Sequence, residues 1–118
     1  MSAPQLYKWD EVVLENVREG ISRKFIAGDH EMVAQITLRR AAIVPEHSHE
    51  SEQLTYVLTG ALKFTLAGRD ITVRPGELPR IPSWMPHRAE ALADTFELDL
   101  FSLIRQDWID GTDDYFRK

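Results

Sequence analysis

VPEHSHESEQLTYVLTG, Val44 to Gly60, sets His47 and His49 one residue apart, with Glu52 and Gln53 following at the head of a strand-like run. On an extended strand, residues i and i+2 share a face about 6.5 to 7 Å apart, so both imidazoles can converge on one ion while Ser48 points away. Position 53 has the parity of 47 and 49. An uninterrupted strand therefore offers Gln53 to that ion, whereas a bulge within Glu50-Ser51-Glu52 offers Glu52. The pair also reads as two solvent-facing loop histidines among Glu46, Glu50 and Glu52, and the stretch alone leaves these readings open.

Outward from this stretch, short runs of period-two character recur between turn signals, the pattern of an all-β chain. ISRKFIAG and EMVAQITLRR flank Gly28 and Asp29 and read as a hairpin, with Met32, Ala34, Ile36 and Leu38 on its apolar face. QLTYVLTG, ALKFTLAG and DITV supply three more strands, and Pro75-Gly76 is the pair favoured in type II turns. LPRIPSWMPH is too proline-rich for a central strand and reads as an edge or loop segment ending at His87. DTFELDLFSLIR is the last strong strand. Beyond it, Trp108, Tyr115 and Phe116 read as aromatics that pin an acidic tail, 106–118, against the body. Eight or nine short strands with tight turns suggest a jelly-roll barrel or a sandwich.

Composition narrows the function classes. The 118 residues, 43% apolar, suit one domain spanning 1–118 with a single core. Fourteen Lys and Arg against nineteen Asp and Glu give a formal charge of −5, and no basic stripe is present to neutralise a phosphate backbone, so nucleic acid is not an expected partner. No apolar stretch is long enough for a signal peptide or a membrane span, which makes the cytoplasm the expected compartment. With no cysteine, a metal site must be built from His, carboxylate or amide groups. In the last strand the even residues Phe96, Leu98, Leu100 and Ile104 are apolar, while the odd face carries Thr95, Glu97, Asp99, Phe101, Leu103 and Arg105. That alternation fits a half-solvated antiparallel strand as well as a strand whose polar face lines a cavity.

His47-Ser48-His49, then Gln53 and Gly60, followed by Pro75-Gly76 and His87, resembles the two motifs of the cupin superfamily, here about 41–60 and 75–91. The resemblance runs from about Met32 to Trp108 and implies a single-domain cupin jelly-roll β-barrel. It implies that His47, His49, Gln53 and His87 hold one divalent ion, with Ni, Zn, Fe and Mn all compatible. Two departures stand out: Ala41 occupies the place of the glycine that often opens the first motif, and the common Glu ligand is Gln53 unless Glu52 replaces it. The remaining His30 reads as an ordinary surface residue.

Together with LDLFSLIR, the first motif is similar to the small single-domain cupins of the pectin-degradation KdgF type, whose Asp-x-Phe-x-x-x-Arg run corresponds to Asp99, Phe101 and Arg105. Two prolines common before that Arg are Leu103-Ile104 here. This resemblance implies opening and ketonisation of 4,5-unsaturated uronates from pectin or alginate breakdown. Asp99 would then shuttle protons, Arg105 hold the carboxylate and Phe101 wall the ring. A cupin-type dioxygenase and a non-catalytic pocket for a sugar or other small molecule are the alternatives. Because MVAQITL and QLTYVLTG are apolar on both faces, a homodimer is expected.

Overall fold

The computed structural model describes residues 3–117. In a six-stranded sheet, β1 (Glu15–Arg18), β2 (Ile21–Ala27), β3 (Glu31–Leu38), β10 (Thr95–Ser102), β5 (Glu52–Thr59) and β8 (Arg80–Ile81) lie side by side in that order. β4 (Ile43–His47), β9 (His87–Ala91), β6 (Leu62–Leu66) and β7 (Arg69–Val73) form a second sheet of four. All pairings are antiparallel. The architecture is a jelly roll in two-sheet form; among the described residues no ladder joins one sheet to the other.

The hairpin of β2 and β3 runs in register from Ile21 opposite Leu38 to Ala27 opposite Met32, and Met32, Ala34, Ile36 and Leu38 are all buried. They meet Val44, Leu62, Phe64, Leu66 and Ala89 of the other sheet in a shared core. The proline-rich segment contributes only β8, at the edge beside β5, where a missing donor is tolerated. β9 is the strand least visible in the sequence. Its inward residues Ala89 and Ala91 are small and its run is short, so the alternation carries little hydrophobic contrast.

Turn chemistry follows the sequence at one corner and departs from it at another. At Arg74 to Glu77, the Glu77 N–H donates to Arg74 O at 3.0 Å and Gly76 has φ +83, the type II arrangement that Pro75-Gly76 favours. At the start of the first motif, the Ala42 N–H donates to Arg39 O at 3.0 Å, and Ala41, standing where a glycine is common, has φ +73. A Cβ in that left-handed region is disfavoured.

Two short helices, α1 (Gln106–Asp110) and α2 (Asp114–Arg117), carry the C-terminal segment back onto the body. Trp108 and Phe116 are buried there. Arg23, fully buried on β2, places its guanidinium 4.1 Å from the Trp108 ring centroid and donates from Nη1 to Asp113 Oδ2 at 2.7 Å. Burial alone would raise the Asp113 carboxyl, but hydrogen bonds from Arg23 and Arg117 hold it below its ordinary value.

The turn at Ala41 yields a stability prediction. Ala41→Gly removes the left-handed strain at the expense of chain entropy in the unfolded state, and should raise stability by about 0.5 kcal/mol or more in urea unfolding. A loss of stability would contradict this account.

Candidate metal centre

β4 and β9 pair so that His47 lies directly opposite His87, their ring centroids 4.1 Å apart. After His47 the chain leaves the four-stranded sheet and re-enters order as β5 of the other sheet at Glu52. The uninterrupted strand considered from the sequence is therefore absent: His49 sits in the crossover, tied down by the Trp84 N–H donating to its carbonyl at 2.7 Å. The imidazoles converge nonetheless, and the candidate ligand atoms of His47, His49 and His87 lie within 4.8 Å of one another, so this group could hold a metal ion.

β5 turns Gln53, Thr55 and Val57 inward and Glu52, Leu54 and Tyr56 outward. Glu52 is exposed and pairs with Arg80 Nη1 at 3.1 Å on the neighbouring β8, so the Glu52 alternative points away from the histidines. Gln53 points at them. His30 is exposed in its turn.

Each histidine spends its Nδ1 on a backbone carbonyl two residues away: His47 on Pro45 at 2.8 Å, His49 on Ser51 at 2.8 Å and His87 on Met85 at 2.9 Å. In the neutral ring this puts the proton on Nδ1 and leaves Nε2 with a bare lone pair. Burial, reinforced by the neighbouring His87 charge, lowers His47 to about 2; burial and the Arg105 charge lower His49 to about 4. His87 is likewise lowered by burial. All three rings are thus neutral near pH 7, as metal ligation requires.

Gln53 completes the fit. Its Nε2 donates to Thr55 Oγ1 at 2.9 Å and to Asp99 Oδ1 at 3.4 Å, which turns Oε1 toward His49 Nε2 at 3.1 Å. Two acceptors then face each other with no proton between them, while the Nε2 of His87 is buried without a partner. A cation held there would relieve both. The donor set of three imidazoles and an amide oxygen suits a borderline divalent metal.

β10 decides the alternation that the sequence left open. Its odd residues Thr95, Glu97, Asp99 and Phe101 are buried between the sheets, and the even residues face out, Leu100 with 39% exposure. Thr55 Oγ1 donates to Asp99 Oδ1 at 2.7 Å, and the Phe101 ring stands edge-on to His49 at 5.7 Å. Arg105 is buried against Phe101, with its Cζ 5.2 Å from that ring centroid. Desolvation opposes its charge, but hydrogen bonds to Asp107 and the nearby Tyr115 hold the guanidinium above its ordinary value.

Two further residues belong to this cluster. Glu97 is fully enclosed, bonded to Asp99, and its Oε2 has no hydrogen-bond partner. Burial and the neighbouring Asp99 carboxyl push it well above its ordinary value, which favours the protonated acid. Burial also raises Asp99, against the hydrogen bonds from Glu97 and Thr55. Tyr115, expected only to pin the tail, stacks on His47 at 4.0 Å and 15° and receives a hydrogen bond from Arg105. The polar parity of β10 could have singled out Glu97; no local pattern marks Tyr115, which reaches the site through the fold of the tail.

A family model described as a cupin domain matches residues 35–104. The chain is similar to the solved structure of KdgF from a Halomonas species, at 31% identity and TM-score 0.83, covering 90% of this chain and 99% of that one. A cupin described as RmlC-like from Shewanella frigidimarina matches at 20% identity and TM-score 0.83, over 90% of this chain and 96% of that one. Oxalate decarboxylase of Bacillus subtilis matches at 20% identity and TM-score 0.74, over 82% of this chain and 29% of that protein, a likeness of fold. No curated protein sequence matches.

The buried acid supports a test free of any ligand. Because the folded Glu97 stays protonated where the unfolded one ionises, its contribution is fully present below the ordinary glutamate range and is lost as pH rises. Glu97→Gln, which cannot ionise, should gain melting temperature relative to the parent chain as pH rises above the ordinary glutamate range. A difference independent of pH would show that Glu97 is charged in the fold.

Proposed function

The chain belongs to the cupin family, and we propose that it is a metal-dependent enzyme of that family that opens and ketonises 4,5-unsaturated uronates from pectin or alginate breakdown. One observation carries the reading: Gln53 joins His49 to Asp99 through a single amide, setting a protonatable carboxyl one side chain from a three-histidine group. The likeness to the Halomonas KdgF over nearly the whole of both chains supports the choice of substrate class.

His47, His49, Gln53 and His87 would hold one divalent ion, Ni, Zn, Fe or Mn. Such an ion would supply positive charge to stabilise the negative charge that develops on the enol oxygen. Asp99 would move the proton, taking it from the anomeric hydroxyl as the C1–O bond of the ring breaks and returning it to C4, the enol carbon that bears no oxygen, as the ketone forms at C5. Thr55 and Gln53 orient its Oδ1 for that task, and burial keeps its acidity weak enough for it to act as both base and acid. Phe101 would wall the sugar ring, and Arg105 would hold the carboxylate as a fork.

On the outer face of the six-stranded sheet, Leu54, Tyr56, Leu58 and Leu100 are each at least 36% exposed. A homodimer covering this apolar face is part of the proposal.

His49→Ala should abolish stoichiometric metal in elemental analysis of the purified protein, and full retention would disprove the ligand assignment. Asp99→Asn should keep fold and metal while lowering turnover of unsaturated galacturonate by about 100-fold or more; undiminished turnover would remove Asp99 from the chemistry. Oxygen uptake in the presence of metal would point instead to the dioxygenase class. Light scattering should give a dimer at micromolar concentration, and a monomer would overturn that part.

A further inference from the structure

The space enclosed between the sheets, bounded by His47, His87, Asp99, Phe101 and Arg105, amounts to about 30 Å³. That is room for a water molecule, while pockets that take small organic ligands are typically about 300 Å³ or more. Sugar-sized ligands therefore need some part of the wall to move. The wall over His47 is Tyr115, and the fork meant for a carboxylate is already filled: Arg105 donates from Nε to Asp107 Oδ1 at 3.0 Å and from Nη2 to Asp107 Oδ2 at 2.7 Å. This is the paired geometry with which a guanidinium recognises any carboxylate.

We propose that Asp107 is an internal stand-in for a ligand carboxylate, and that a carboxylate-bearing sugar enters by exchanging with it on Arg105, releasing α1 and Tyr115 from the mouth of the site. The inference rests on the carboxylate role of Arg105 given above and adds the residue that sets its affinity. Asp107 is suited to exchange because its side chain is one-third exposed, whereas Arg105 is 2% exposed. The incoming group can thus meet Asp107 from solvent while the arginine stays packed against Phe101 of β10, 5.2 Å from that ring centroid.

Release need not unfold the segment. Arg23 gives up its Trp108 ring when α1 leaves but keeps Asp113, and Arg117 stays bonded to Asp113 at 2.9 Å and to Glu15 at 3.0 Å, so the backbone of α2 remains anchored while the Tyr115 side chain swings away; Gly111 with φ +71 lies between α1 and α2. An anchored segment keeps Asp107 at high local concentration, so it competes with any dissolved carboxylate, and measured affinity falls by the fraction of time that Arg105 is free. Selection follows from the same competition. A neutral sugar has nothing to trade for Asp107, so the carboxylate opens its own site.

The probe is galacturonate, which has the ring and the carboxylate but no unsaturation to react. Calorimetry should show Asp107→Asn binding galacturonate about 10-fold more tightly than the parent chain, and binding galacturonate methyl ester, which lacks the charge that Arg105 recognises, about 10-fold or more less tightly than galacturonate. In the unmutated protein, hydrogen exchange at the Trp108 and Ile109 amides, which donate to the Arg105 carbonyl at 3.1 and 3.3 Å, should quicken when galacturonate binds. Weaker or unchanged galacturonate binding in Asp107→Asn, or slower exchange at those amides, would overturn the proposal and make Asp107 a fixed support for Arg105. These readouts need no turnover, so a protein inactive on unsaturated uronates that still shows tighter binding would retire the proposed reaction and keep this inference.

Discussion

Strand β10 is hydrogen-bonded on both sides, to β3 and to β5, and its register there governs the interior. Asp99 lies opposite Ala34 on one neighbour and Thr55 on the other, and Phe101 lies opposite Met32 and Gln53. A slip of one residue would turn Glu97, Asp99 and Phe101 to solvent and bring Leu98 and Leu100 inside. Gln53 and Thr55 would then lose the carboxyl that orients them, and the amide oxygen would no longer be held toward His49. Pairing on both edges makes such a slip costly, because both ladders would have to break together.

With that register set, the interior divides into two chemistries. One end is an ordinary core of Ile36, Leu38, Leu62 and Phe64; the other packs imidazoles, carboxyls and a guanidinium close together. Burying these groups is tolerable because few are charged. Burial lowers the histidines toward the neutral form and raises Glu97 toward the protonated one, and Arg105 keeps its charge beside Asp107. What stays unsatisfied among the described residues is informative. The free side-chain atoms are Arg23 Nη2, His87 Nε2 and Glu97 Oε2, and of the three only His87 Nε2 presents its lone pair within the three-histidine group.

The C-terminal segment joins the two ends of this arrangement. Arg23 stacks on Trp108 and is paired with Asp113, a contact between the second strand and the last turn that no local preference would produce. Removing Arg23 leaves Asp113 with Arg117 alone, and removing Asp113 leaves the buried Arg23 with Glu15 alone, so either loss unbalances a buried charge. That anchor is what brings Tyr115 over His47 and Asp107 onto Arg105.

Much of this was legible along the chain. The alternation in ISRKFIAG and EMVAQITLRR determined a hairpin and Pro75-Gly76 determined a turn with positive φ, because period-two faces and turn conformations are local properties; the spacing of His47, His49 and Gln53 left a solvent-facing loop open, and it was the resemblance to the two cupin motifs that joined them to the distant His87 as a candidate metal centre. Parity also favoured Gln53 over Glu52, although through a strand that does not exist: β4 and β5 belong to different sheets, and Gln53 faces inward because of its place on β5. Three matters were decided only by the tertiary structure. The polar face of β10 became interior rather than solvated, Tyr115 and Glu97 joined the site, and Arg105 took Asp107 as its partner. Each depends on which surface covers which, and alternation along a strand records only that its two faces differ, not which of them the rest of the chain will bury.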